Sequence, residues 1–128
     1  MKWIEFLFLA LGAIFGAYIR YKITSYPLGF GNSISNVLLV NIIGSFILGI
    51  FSVLSASLNL DSKYSFLVAI GFCGSLTTMS SFALESINMI EGKQFLYVGI
   101  NVISNVALSF LAVYSGRILI SRIIEGNV

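Results

Sequence analysis

Four long apolar stretches dominate the sequence. They cover about residues 3–23, 34–58, 64–90 and 95–120, and the segments between them are short and polar. A transmembrane helix needs about 20 mostly apolar residues in a row, and each stretch is long enough. We therefore predict an all-α protein of four transmembrane helices, a single domain over residues 1–128 that crosses the cell membrane several times.

Composition agrees with a surface that faces membrane lipid. The chain is 58% apolar and 9% charged, whereas soluble domains carry about 25% charged residues. The net charge is +2, and no run of Lys or Arg forms a stripe for nucleic acid. Histidine is absent and Cys73 is the single cysteine. Histidine-based catalysis, His or paired-Cys metal sites and an intrachain disulfide are thereby excluded, and we do not expect an enzyme.

Positive charges are almost evenly divided between the two sides of the predicted bundle. Positive residues in short loops normally mark the cytoplasmic side, and here the two sides hold four and three. The chain either has a weak topology signal or inserts in both orientations, which would allow it to pair with itself as an antiparallel homodimer. One side carries Lys2, Lys63, Arg117 and Arg122, and the other carries Arg20, Lys22 and Lys93.

Small and polar residues recur at helical spacing inside three of the stretches. Intervals of four place such residues on one helical face. Small residues allow helices to approach closely, and amides join them by hydrogen bonds, so for the glycines we favour packing. For Asn41, Asn105 and Ser109 packing and a polar pathway both remain open. The series are Gly12, Gly16 and Arg20; Asn41, Ser45 and Gly49; and Asn101, Asn105 and Ser109.

The third stretch contains a run that disfavours a continuous helix. Gly71 and Gly74 are followed by hydroxyl residues at positions 75, 77, 78, 80 and 81. Glycine costs about 1 kcal/mol in a helix interior, and Ser and Thr side chains compete for backbone hydrogen bonds. We predict a break near the middle of this helix. Unpaired backbone at that depth is tolerated only inside protein or along a wet cavity.

Two charged residues allow two interpretations each. Glu85 shares a helical face with Thr78 and Phe82, but it lies near enough to the helix end to reach the headgroups. Arg20 lies near the end of the first stretch, where it either draws anions into a vestibule or extends toward the lipid headgroups.

The third stretch also carries a family resemblance. The string GFCGSLTTMSSF at residues 71–82, followed by Glu85, resembles the third-helix signature of the Fluc-type fluoride channels, the CrcB family. Gly12, Gly16 and Arg20-Tyr21 in the first stretch and Val40-Asn41 in the second are similar to other parts of the family pattern. The resemblance implies a passive channel that lets fluoride leave the cytoplasm. It also implies an antiparallel homodimer with two pores and one structural sodium ion between the subunits.

The resemblance, together with the need for strong donors to replace fluoride's hydration water, assigns the site residues. Backbone carbonyls of Gly74 and Thr77 would hold the Na⁺, and Arg20 and Glu85 would lie in a vestibule. Two positions depart from the family pattern, because Met79 stands where a phenylalanine is usual and Ser81 where a threonine is usual. The fluoride pathway would comprise Asn41, Thr78, Met79, Ser80, Ser81, Phe82 and Ser109.

Two other functions compete with the channel. Small dual-topology drug exporters also have four helices, but they carry a carboxylate midway along the first helix. Here Glu5 lies close to the start of the first stretch. A helical scaffold subunit without transport would also fit the composition, and ion flux would separate it from a channel.

Overall fold

The computed structural model describes residues 1–26 and 34–126. Within these ranges, four helical spans are long and apolar enough to cross a membrane, which confirms the all-α transmembrane prediction. Helix α1 is Trp3–Ser25 and helix α2 is Ile34–Ser57. The third span is Ser62–Glu91, and the last is Phe95–Glu125, which extends beyond the predicted end near residue 120. The predicted polar connection at residues 29–33 lies outside the described residues.

The third span is divided into two helices by an extended dipeptide. Helix α3 (residues 62–76) continues through Gly74–Leu76, and helix α4 is Met79–Glu91. Between them, Thr77 has φ −75° and ψ 153°, and Thr78 has φ −149° and ψ 111°. The predicted break is confirmed. It lies at the two threonines rather than at the glycines, since Gly74 is helical with φ −65° and ψ −30°.

Helix α3 contains a π-helical segment that the sequence did not predict. Its first residues, Ser62–Ser65, are α-helical, and the side chain of Asp61 accepts from the backbone N–H of Lys63 there. Residues Phe66–Cys73 then form the π-helix. Such segments are rare and are frequent at functional sites. Here the π-helix leads directly into the turn before the break.

The helices pack as two parallel pairs, α1 with α3 and α2 with the last helix, α5 (Phe95–Glu125). In the first pair, the Ser62 hydroxyl donates to Glu5 at 2.8 Å. Fifteen residues later on both partners, Arg20 donates to the carbonyl oxygen of Thr77. In the second pair, Asn41 bonds Asn105, and further along Gly49 abuts the carbonyl of Val113. Contacts advance in the same direction along both partners, as expected when a chain crosses the membrane alternately up and down.

Glycines mark the closest contacts within these pairs. A Cβ atom on Gly16 would collide with the carbonyl oxygen of Phe72, and one on Gly49 with that of Val113. Gly12 abuts Leu67 in the same way. Small residues therefore let the helix backbones approach each other, which confirms the packing interpretation of these positions. Gly74 differs, because the nearest atom to its added Cβ would be the carbonyl of Ala69 at 3.8 Å.

Candidate functional site

The break between α3 and α4 is held by hydrogen bonds to the backbone of Thr78. Extended backbone at this point removes the helical partner of the Thr78 N–H, which instead donates to Asn41 Oδ1 at 2.8 Å. The Thr78 side chain accepts from the backbone N–H of Ser81 at 3.1 Å and so caps the start of α4. Asn41 and Thr78 together satisfy donors that a broken helix would otherwise leave unpaired inside the membrane.

A groove of about 380 Å³ runs beside this break, between α2, α3, α4 and α5. Its polar lining consists of amides and hydroxyls, and no carboxylate or cationic side chain is among its described lining residues. Such a surface is neutral and rich in hydrogen-bond donors. The structure brings these site residues predicted from the sequence together along the groove: Asn41, Gly74, Thr77, Thr78, Met79, Phe82 and Ser109.

A second cavity of about 340 Å³ holds the two residues predicted to form a vestibule. Arg20 and Glu85 both line it, together with Asn36 and Ser81. Arg20 Nη1 donates to the carbonyl oxygen of Thr77 at 3.3 Å, so its guanidinium faces the break rather than the headgroups. Glu85 Oε2 and Asn36 Oδ1 are buried without a hydrogen-bond partner among the described residues. The cavity therefore offers one cationic donor and two unpaired acceptors.

Two hydroxyl groups connect the two cavities. Thr78 lines the groove and Ser81 lines the second cavity. Thr78 Oγ1 donates to Ser81 Oγ at 3.0 Å and lies 3.2 Å from Ser80 Oγ. A hydroxyl that accepts from Thr78 still carries its own hydrogen to donate elsewhere. Ser81 thus belongs to the wall between the cavities, a position that the sequence did not resolve. Ser80, also predicted to line the fluoride pathway, is exposed and is not among the described lining residues of either cavity.

Comparison with known proteins identifies the family of this chain. The sequence profile of the "CrcB-like protein, Camphor Resistance (CrcB)" family matches residues 7–117. The chain belongs to the CrcB family.

Individual CrcB relatives are similar over almost their whole length. A "Fluoride-specific ion channel FluC" of Nitrosopumilus maritimus is 56% identical over 125 residues, which cover 98% of this chain and 99% of that protein. Proteins of the same name from Methanococcus maripaludis and Koribacter versatilis are each 39% identical. These alignments cover 89% and 93% of this chain, and 93% and 97% of those proteins. The protein is thus a multi-pass membrane protein of a family whose named relatives are ion channels.

Met79 and Phe82, both assigned to the fluoride pathway from the sequence, are in different environments here. Phe82 is buried, with 7% of its surface exposed, whereas Met79 is 73% exposed within one protomer. Both line the groove, three residues apart near the start of α4. A thioether is polarizable but lacks the positive edge of a phenyl ring. Met79 therefore presents a polarizable thioether to the groove rather than an aromatic edge.

Ser86, which takes part in a network of polar side chains beside the groove, could not be identified from the sequence. Asn101 Nδ2 donates to the hydroxyl of Ser86 at 3.1 Å, and Ser86 had no role assigned from the sequence. The spacing of Asn101 and Asn105 indicated a polar face on α5. It could not indicate that Asn101 contacts Ser86 on α4, because that depends on how the helices pack. Glu5 lies in the first turn of α1 and accepts from Ser62 and from the backbone of Lys2. It is not placed midway along the helix, as the drug-exporter alternative would require.

Proposed function

We propose that this protein is a passive, fluoride-selective channel of the cell membrane that lets fluoride leave the cytoplasm. One structural observation carries the proposal: the groove at the break combines amide and hydroxyl donors with no carboxylate among its described lining residues. The names of the relatives agree with it. Because nothing in the proposal couples the ion to a second substrate, the concentration gradient alone sets the direction of flux.

The chemistry of fluoride explains why such donors are needed. Fluoride is small and holds its hydration water tightly, so a pore must replace that water with groups that donate hydrogen bonds. Asn41 Nδ2 carries two hydrogens, and its short bond to Asn105 Oδ1, 2.9 Å, uses only one of them. The Ser109 hydroxyl lines the same groove. These groups are neutral, so they can bind an anion without holding it too tightly to leave.

The second cavity supplies an entrance or exit for the ion. Arg20 is the one cationic side chain among its described lining residues. Its positive charge attracts anions to the guanidinium, whereas the carboxyl of Glu85 in the same cavity would repel them when ionised. Fluoride would pass from Arg20 to Ser81, then to Thr78 and into the groove, in either direction.

We further propose that two copies assemble as an antiparallel homodimer, which would contain two pores. The near-even charge count of four against three supports insertion in both orientations. The groove opens at the surface of the protomer, where its lining residues Met79 and Phe110 are 73% and 72% exposed. A second copy would close this groove along its open side and turn it into a pore.

A structural sodium ion between the copies is part of the same proposal. Gly74 and Thr77 both line the groove next to the break. Two copies would bring four of their carbonyl oxygens together, and Na⁺, a hard cation, prefers oxygen ligands. Arg20 occupies one lone pair of the Thr77 oxygen, and a carbonyl has a second one to offer. Neutral ligands suit a monovalent ion.

Ion flux from liposomes tests the proposed function directly. Liposomes that contain only the purified protein should release fluoride rapidly and retain chloride, and protein-free liposomes should retain both. Similar release of the two ions, or no release of either, would rule out a fluoride-selective channel. If the chain inserts in both orientations, a tag at the C-terminus should be labelled from outside sealed vesicles in some molecules and from inside in the others. Labelling from one side alone would exclude the antiparallel dimer.

A further inference from the structure

Two asparagines on α5 are buried at the groove: Asn105 lines it, and Asn101 is not among its described lining residues. Asn101 has no exposed surface, at 0%, and Asn105 is 5% exposed. A buried amide costs free energy unless it is hydrogen-bonded, and the cost is felt most inside a membrane span. Because the Asn101 side chain has no exposed surface, it cannot contact an ion in the groove. Its amide must therefore serve another part of the protein.

Asn101 is connected to the break through a chain of amides. The backbone N–H of Thr78 donates to Asn41 Oδ1 at 2.8 Å. Asn41 Nδ2 donates to Asn105 Oδ1 at 2.9 Å, and Asn105 Nδ2 donates in turn to Asn101 Oδ1 at 2.8 Å. Asn105 Nδ2 also donates to the backbone carbonyl oxygen of Asn101 at 3.1 Å, so replacing the Asn101 side chain would weaken this link without removing it. The chain of hydrogen bonds thus begins at Thr78, the N-cap of α4, passes through α2 and enters α5.

From Asn101 the chain of hydrogen bonds returns to α4. Asn101 Nδ2 donates to Ser86 Oγ at 3.1 Å, and the Ser86 hydroxyl donates to the carbonyl oxygen of Phe82 at 2.9 Å. Phe82 lies four residues after Thr78, about one helical turn. The network therefore begins and ends on the backbone of the same helix, and every intermediate side chain donates in the same sense.

The two ends of this network determine how each amide is oriented. A backbone N–H can only donate, so Thr78 requires the oxygen of Asn41 rather than its nitrogen. A backbone carbonyl can only accept, so Phe82 requires the Ser86 hydroxyl to donate, which leaves the Ser86 oxygen to accept from the Asn101 NH₂ group. Both requirements are met only when all the intermediate amides point the same way. One reversed amide would place two donors or two acceptors against each other.

This orientation matters for the charge that the groove presents. The Asn41 oxygen, which would repel an anion, is held against the Thr78 N–H. The second hydrogen of Asn41 Nδ2 has only a long contact, 3.5 Å, with the Thr78 carbonyl oxygen, beyond the usual range of a hydrogen bond. That hydrogen remains available to an anion in the groove. If the amide reversed, the groove would instead meet a partial negative charge.

We propose that Asn101 is a positioning residue for Asn41: acting through Asn105, it fixes the amide of Asn41 with its oxygen toward Thr78 and its NH₂ toward the groove. The inference rests on the proposed fluoride function and deepens it, because it assigns the part of the chain that keeps donors turned toward the anion. Nothing in it requires Asn101 to touch the ion.

Amide hydrogen exchange tests the positioning role without any transport measurement. Asn101→Leu keeps a side chain of similar size and removes the amide. NMR of the solubilised protein should show the Thr78 amide exchanging about fivefold faster or more, as expected when a hydrogen bond of about 1 kcal/mol is weakened, with the amides of the α1–α3 pair unaffected. The matched control is Ser52→Ala, since Ser52 donates to the carbonyl of Gly49 within α2, and it should leave Thr78 unchanged. Unchanged exchange at Thr78 in Asn101→Leu would overturn the proposal.

Fluoride flux then separates the positioning role from general damage. Asn101→Leu should lower flux about tenfold, the order expected when a hydrogen bond to a charged group is misaligned, and should cause no further loss in an Asn41→Ala background. Equal losses in both backgrounds would show that Asn101 does not act through Asn41. If the wild-type protein passes no fluoride while Asn101→Leu still speeds amide exchange at Thr78, the proposed channel function is refuted and the positioning role stands. If Asn101→Leu does not fold, Ser86→Ala interrupts the same network by removing one hydroxyl. The exchange rate at Thr78 and the fluoride flux of Ser86→Ala then test the proposal in the same way.

Discussion

Arg20 Nη1 lies 3.3 Å from the carbonyl oxygen of Thr77, at the point where α3 ends. Carbonyl groups at a helix C-terminus lack intrahelical partners and carry partial negative charge. A guanidinium from α1 thus stabilises the end of α3, while Asn41 from α2 satisfies the start of α4. The break is held from both sides by residues of other helices, and the same residues line the two cavities.

This relationship predicts the effect of removing the guanidinium. Arg20→Leu should destabilise the fold by about 1–3 kcal/mol, because the hydrogen bond from a charged group to the part-buried Thr77 carbonyl is lost. Fluoride flux should also fall, since the second cavity loses its cation. Arg20→Lys restores the charge but not the planar geometry, and it should recover part of the flux. Thermal unfolding and liposome flux measure the two effects, and an Arg20→Leu protein that matches the wild type in both would contradict the role.

A second prediction concerns the amide that meets the groove. Asn41→Ala removes a donor to fluoride, and a hydrogen bond to a charged group is worth about 1.5–3 kcal/mol, so flux should fall about tenfold or more if that step limits the rate. The protein should still elute in the same volume as the wild type in size-exclusion chromatography. Ser52→Ala is again the control. Unchanged flux would return Asn41 to a packing role.

Local sequence predicted the break in the third span but not its position. Glycines and hydroxyl residues lower the helical preference of residues 71–81 as a group. The position depends on which backbone groups find partners elsewhere, and those partners are Arg20 and Asn41, on two other helices. Tertiary contacts of this kind cannot be obtained from spacing along one segment. The π-helix at Phe66–Cys73 was missed for the same reason, since its residues read as an ordinary apolar stretch.

The candidate site shows the same division between local pattern and packing. The family resemblance pointed to Asn41 and Phe82, and the need for hydroxyl donors pointed to Thr78; the structure places all three at one groove. The resemblance offered no reason to connect Asn101 to Ser86, because that contact depends on how α5 lies against α4. Arg20 was left open between two interpretations, and only its partner on α3 decides between them.

Two glycines should respond differently to the same substitution. Gly16→Ala places a methyl group against the Phe72 carbonyl, and overpacking of this kind costs about 1–3 kcal/mol. Gly74→Ala meets its nearest atom at 3.8 Å, so the fold of the protomer should be unaffected. If two copies meet at Gly74, this change should weaken the dimer instead. Thermal unfolding and cross-linking in detergent measure the two effects, and destabilisation of the protomer by Gly74→Ala would contradict the distinction.

The last prediction concerns Met79, which stands where the family resemblance led us to expect a phenylalanine. Met79 is 73% exposed in the protomer, so replacing it should change the groove and leave the core intact. Met79→Phe introduces a ring whose positive edge can face an anion, and we expect flux at or above the wild-type level. Met79→Ala removes bulk from the groove wall and admits water, so selectivity over chloride should weaken. Flux of both ions from liposomes measures the two variants side by side, with circular dichroism to check the fold. If Met79→Phe abolished fluoride flux in a folded protein, the groove would not accommodate an aromatic ring at this position, and Met79 would be a requirement of this chain's pore rather than a substitute for phenylalanine.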